Sequence, residues 1–158
     1  MNTKRIPSRI FGKSNSNLAA QVPIIGIGCS SFANNFVASE CDVVSALSVN
    51  QETAHSLPKD HKTVKEWIKT LQKAIDLGFN LLDTAPWYGH GSSEVLIGFA
   101  LKDTNVDRKR LIINTKIGRY DAEPLKQFDF SYDMTIQSVK RSLDRMGCGY
   151  IDVLQLHD

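Results

Sequence analysis

Four residues of different chemistry carry the functional reading of this chain: Asp83, Tyr88, Lys116 and His157. In "LLDTAPWYGHG" (81–91) an apolar run ends on a carboxylate. A tyrosine follows five positions later on a stretch rich in Pro and Gly. Lys116 lies near the end of a second apolar run, "LIINTKIG" (111–118), and His157 near the end of a third, "YIDVLQLHD" (150–158). An acid, a phenol, an ammonium and an imidazole suit the reduction of a carbonyl. Hydride arrives on the carbon, and the oxygen must receive a proton. A phenol can donate one, although its ordinary pKa of about 10 is a poor match to neutral pH. An ammonium beside a phenol favours phenolate. A carboxylate keeps that ammonium charged and in place. An imidazole near the carbonyl oxygen orients it by hydrogen bonding.

Taken singly, each residue has a plainer explanation: a turn acid, a packing tyrosine, a solvated lysine, a histidine near a terminus. The elements that hold them argue for the joint reading. "VPIIGIG" (22–28) reads as a strand. Thr63 and Glu66 read as a capping box opening a helix with Val64, Trp67, Ile68, Leu71 and Ile75 at helical spacing, stopped by Gly78. "FNLLD" (79–83) is the next strand, "SSEVLIGFALK" (92–102) a helix, and 111–118 a strand. Ser131 caps a further helix whose expected buried face is Ile136, Val139, Leu143 and Met146, ending at Gly147 and Gly149. Residues 150–158 form a last strand, expected to be largely apolar on both faces.

This alternation predicts βαβ units and a parallel sheet. Asp83 to Lys116 is 33 positions and Lys116 to His157 is 41. A (β/α)8 barrel of roughly 250 residues averages about 31 per unit. Spacing alone also fits a doubly wound sheet, but the polar residues at the strand ends favour a barrel. There those ends form one rim, with neighbouring strands about 4.8 Å apart. The expected fold is α/β: the N-terminal half of a (β/α)8 barrel, about four βα units, truncated after strand four. Residues 1–62 hold an N-terminal segment, the first strand and an irregular insertion over 29–62. Residues 63–158 hold the βαβαβ core.

Composition excludes several classes. With 42% hydrophobic and 23% charged residues the chain is ordinarily globular. A net charge of +2 with no basic cluster gives no reason to expect nucleic acid. No apolar run reaches the roughly 18–20 residues of a membrane span. Cys29, Cys41 and Cys148 form no CxxC pair and the histidines lack metal-ligand spacing, so no metal is expected and a reducing, cytoplasmic setting is the default. The basic, acid-free first 39 residues show a weaker bias of the transit-peptide kind. A dinucleotide-binding start at "IIGIGCSS" is a poor alternative, because Ser31 stands where the third glycine belongs.

"GFNLLDTAPWYG", "IINTKIGRY" and "SLDRMGCGYIDVLQLHD" resemble the aldo-keto reductases. "DTAPWYG…SSEVLIGFAL", "TKIGRY" and "FDFS" resemble the branch of that family that contains L-galactose dehydrogenase. The resemblance covers about residues 20–28 and 63–158. It implies a catalytic tetrad at Asp83, Tyr88, Lys116 and His157. It implies NAD or NADP as cofactor, with Cys29, Ser30 and Asp83 as contacts, and a substrate pocket walled by Trp87 and His157. It implies interconversion of a carbonyl and an alcohol on a small sugar or aldehyde. Most cofactor contacts in the family come from strands five to eight, so the 158-residue chain by itself is expected to be inactive. Its open sheet edges predict self-association. The alternative is a non-catalytic binding or regulatory piece on the same scaffold.

Overall fold

Apolar residues at period 3.6 and short apolar runs alternate along the chain, and each pattern buries its surface against the other. The structure, a computed structural model, describes residues 6–11, 20–33, 52, 54–104, 106–121 and 123–158. Most of the irregular 29–62 insertion, together with Lys4, Arg5, Lys13 and Cys41, lies outside the described residues. Strands β3 (Ile27–Gly28), β4 (Leu81–Asp83), β5 (Ile112–Ile117) and β6 (Val153–Leu156) form a four-stranded parallel sheet in that order. Helices α1 (Lys62–Asp76), α2 (Ser92–Lys102) and α3 (Tyr132–Met146) connect successive strands. A sequential parallel sheet with helical crossovers among the described residues is part of a (β/α)8 barrel.

The expected strand over 22–28 is instead two elements. Strand β2 (Ala20–Pro23) pairs antiparallel with β1 (Ser8–Phe11), from Ser8 opposite Pro23 to Phe11 opposite Ala20. The chain then crosses to the main sheet through exposed Ile24 and Ile25. Gly26 makes that crossing possible: a Cβ there would lie 2.8 Å from Leu81 Cδ2. The apolar run therefore serves two sheets, and its composition does not reveal the break.

Helix α1 buries Val64, Ile68, Leu71 and Ile75, as the spacing predicts, with Trp67 half-buried beside them. Its cap is His61 rather than Thr63. The His61 Nδ1 accepts from the Thr63 N–H at 3.3 Å, so Thr63 already lies inside the helix. Gly78 ends the helix in a left-handed conformation (φ 95°). Gly78 N–H reaches the Ile75 carbonyl and Phe79 N–H the Ala74 carbonyl, the paired bonds of a Schellman stop.

Helix α2 is buried without a break from Ser92 to Gly98, as befits a helix packed on several sides. Helix α3 starts where expected, with Ser131 Oγ accepting from the Met134 N–H at 3.3 Å. Its buried face agrees with expectation only in part. Met146 is buried and Leu143 packs against the core, but Ile136 is 40% exposed, and Ser138, Ser142 and Arg145 are buried as well. The stripe turns in part because Arg145 reaches Glu94 of α2. A Cβ on Gly98 would overlap the Arg145 carbonyl oxygen, so the two helices touch through backbone at that point.

Strand β6 also departs from the expected two-faced burial. It lies at the edge of the sheet, and Leu154 and Leu156 are exposed, the latter by 71%. Among the described residues no helix is long and apolar enough to cross a membrane.

Candidate active site

The register of the parallel strands staggers the polar side chains toward one rim. Asp83 pairs with Asn114, and Lys116 pairs with Gln155. The His157 N–H then bonds to the Ile117 carbonyl at 2.9 Å, which carries the imidazole to the same end. Residues two apart on a strand share a face. Asn114 and Lys116 therefore point the same way, and so do Gln155 and His157.

Tyr88 reaches the rim through an unusual turn. Gly89, His90 and Gly91 are all left-handed, at φ 56°, 52° and 95°. His90 is one of only two non-glycine residues with positive φ among those described, a conformation that costs about 1–2 kcal/mol. The run reverses the chain so that α2 begins at once at Ser92. Ser92 Oγ donates back to the Gly89 carbonyl at 2.7 Å. Gly91 has no room for a side chain: a Cβ would lie 3.0 Å from both Ala54 Cβ and Arg145 Cδ.

The ammonium of Lys116 is the hub. It donates to Asp83 Oδ1 and Oδ2 at 2.9 and 3.0 Å, to the Thr84 carbonyl at 2.9 Å, and to the Tyr88 phenol oxygen at 3.1 Å. An ammonium has three N–H donors, and these three partners use them all. The phenol oxygen thus accepts from Lys116, which leaves its own O–H to donate elsewhere. Asp83 is held in turn by Asn114 Nδ2, which also donates to Gln155 Oε1 at 2.8 Å.

His157 is buried and meets Tyr88 edge to face, with ring centres 5.6 Å apart, and Trp87 likewise at 6.2 Å. Its Nδ1 is buried and has no hydrogen-bond partner among the described residues. Burial pushes the imidazole below its ordinary pKa; Lys116 and Arg119 add to this, and Asp158 and Asp83 oppose it. A neutral imidazole is the form that both donates and accepts.

The structure brings Asp83, Tyr88, Lys116 and His157 together, with Trp87 beside them. Ser30 is half-buried at the start of the turn that follows β3. Cys29 is different: its thiol is buried in the core, and burial, reinforced by Asp83, raises its pKa to about 12. Its N–H bonds to the Asp83 carbonyl at 2.8 Å, and its carbonyl accepts from Ser93 Oγ at 2.9 Å. Cys29 therefore anchors the first loop and presents no side chain to the rim. Among the described residues, no three His, Cys, Asp or Glu side chains cluster to hold a metal.

Sequence reasoning assigned no role to Asn114, Gln155 or the buried pair behind the sheet. Glu94 is fully buried and accepts from Arg145 Nε at 2.7 Å and from Thr115 Oγ1 at 2.7 Å. The signal for Asn114 and Gln155 was present as polar residues two positions before Lys116 and His157. Glu94 resembled an ordinary first-turn acid.

Comparison with known proteins agrees with this geometry. The model of the aldo/keto reductase family matches residues 54–158. The L-galactose dehydrogenase of Arabidopsis thaliana is 40% identical over 91 residues, covering 58% of this chain and 27% of that protein. The D-arabinose 1-dehydrogenase of Saccharomyces cerevisiae is 40% identical over 90 residues, covering 56% and 25%. The solved holo form of an aldo-keto reductase from Bacillus halodurans superposes with a TM-score of 0.63 at 26% identity, covering 97% of this chain and 40% of that one. The chain thus spans about a quarter of the length of these two curated relatives. A family model matched over most of the chain, on a partial barrel with four polar residues gathered at its rim, shows that this chain belongs to the aldo/keto reductase family.

Proposed function

We propose that the rim site handles the proton in a nicotinamide-dependent interconversion of a carbonyl and an alcohol on a small sugar or aldehyde. The observation that carries this reading is the Lys116 hub. Its three donors hold Asp83, the Thr84 carbonyl and Tyr88 in one arrangement, with the phenol O–H left free. In the reducing direction Tyr88 donates that proton to the carbonyl oxygen. In the oxidising direction the same oxygen takes a proton from the alcohol. Lys116, already donating to that oxygen, stabilises the negative charge left when the proton departs. His157, neutral and buried beside Tyr88, hydrogen-bonds the substrate oxygen and sets its direction.

The donor set fits a nicotinamide partner. A phenol, an ammonium, an imidazole and a carboxylate move or hold protons, and none supplies a hydride. NAD or NADP, when bound, supplies or accepts it. Ser30 and Asp83, at the ends of β3 and β4, are the residues of this chain that would hold the cofactor. Names among the relatives support an aldose as substrate. The free cysteines Cys29 and Cys148 support a reducing, cytoplasmic setting.

The test uses a complete barrel in which residues 63–158 replace the matching stretch of the Arabidopsis L-galactose dehydrogenase. Aldose oxidation is followed by the appearance of reduced cofactor. Tyr88→Phe should lower turnover by about 10²–10⁴-fold and leave cofactor affinity nearly unchanged. Turnover near that of the unsubstituted chimera would refute the assignment. The 158-residue chain alone should show neither turnover nor saturable NADPH binding.

A further inference from the structure

Arg119 lies just beyond β5, and none of the roles above uses it. Its guanidinium sits 3.9 Å from the centre of the Trp87 ring and 5.6 Å from that of Phe128. Its Nε donates to Gln127 Oε1 at 2.8 Å, and its Nη1 pairs with the Asp158 carboxylate. The Trp87 indole N–H bonds to the Asp121 carbonyl at 3.3 Å. One flat cation thus ties together the loop after β4, the loop after β5 and the end of β6.

An indole on a loop can turn about two side-chain torsions. A guanidinium over its face covers a wide flat area of the ring while its edge still makes hydrogen bonds; the compact ammonium of a lysine has no such flat face. Trp87 also meets His157 edge-on. Any swing of the indole would change the space in front of His157 and Tyr88.

We propose that Arg119 is a positioning residue: it clamps Trp87 as a fixed wall beside His157, so that a substrate oxygen meets His157 and Tyr88 in one orientation. The wall's effect on substrate rests on the functional reading above; the clamp itself does not.

The chain has two tryptophans, Trp67 and Trp87. In the 158-residue chain carrying Trp67→Phe, acrylamide quenching and the emission maximum report on Trp87 alone. Arg119→Ala and Arg119→Lys should both raise the quenching constant by about two- to five-fold and shift emission to the red, with far-UV circular dichroism unchanged. Unchanged quenching in Arg119→Ala, or shielding fully kept by Arg119→Lys, would overturn the clamp. In the complete-barrel chimera, Arg119→Ala should raise KM for the aldose by a larger factor than it lowers kcat. A fall in kcat alone would overturn the wall role. A chimera without turnover would sink the functional reading and the wall role with it, while quenching would still decide the clamp.

Discussion

Two carboxylate–cation pairs lie on opposite sides of β5, and they are built for different ends. Asp83–Lys116 faces the rim, where the Asp83 side chain is 38% exposed. Every donor of Lys116 is committed, yet one of its partners, Tyr88, keeps a proton to give. Glu94–Arg145 lies behind the sheet, between α2, α3 and Thr115, and is almost wholly inaccessible. On the proposed function, a carboxylate–cation pair beside a proton donor at the rim tunes the chemistry. Where such a pair is sealed behind the sheet, it is a clasp.

The largest effect should come from breaking the clasp. Removing one partner of a buried pair strands the other, at a cost of about 3–5 kcal/mol. Glu94→Ala and Arg145→Ala should each lose that much in denaturant unfolding. The double change Glu94→Leu with Arg145→Leu should lose less than the two single losses combined. Single losses below about 1 kcal/mol would contradict the role assigned to this pair.

Asp83→Asn should do the reverse. Asp83 keeps access to water while Lys116 is nearly buried, so this change should cost less stability than breaking the sealed pair. Turnover of the complete-barrel chimera should nevertheless fall by about 10²-fold, because Lys116 loses the partner that orients it. If Asp83→Asn destabilised the fold as strongly as Glu94→Ala, the contrast between the two pairs would collapse.

The smallest effect concerns His157. Its folded pKa lies below its ordinary value of about 6.5 because burial disfavours the charged imidazole. The unfolded chain therefore binds the proton more readily. Stability from the neutral imidazole is complete above about pH 6.5 and is lost as pH falls through the depressed folded value. Unfolding midpoints measured from pH 7.5 down to 5 should decline, and His157→Gln should flatten that decline. An identical slope in the variant would place the titration elsewhere.

The sequence shows some of these features more readily than others, for physical reasons. Helix α2 was readable to its ends, Ser92 and Lys102, because a glycine-rich turn and a polar stretch bracket it. The cap at Ser131 and the stop at Gly147 were readable because each depends on local chemistry. The rim residues stood out as polar groups closing apolar runs. The inward face of α3 was partly hidden, since Arg145 is buried through its pair with Glu94 on α2 and the small Ser138 and Ser142 carry no apolar signal. The division of 20–28 between two sheets was hidden because the run passes Leu81 at Gly26, a contact made more than fifty residues away. His61 as a cap went unseen because Thr63 and Glu66 offered a more familiar pattern.

Thr115 and Lys116 are adjacent on β5, and their side chains leave on opposite faces, one to Glu94 and the other to Asp83. A slip of a single residue would exchange them. The lysine would enter the sealed layer beside Arg145, and the rim would receive a threonine with no charge to offer. Neither network could be rescued by substitution at one position. The stretch from Ile112 to Ile117 should therefore tolerate changes of residue far better than changes of length. In a lineage of this fold, insertions and deletions should gather in the loops on either side of β5 and leave the strand itself at constant count.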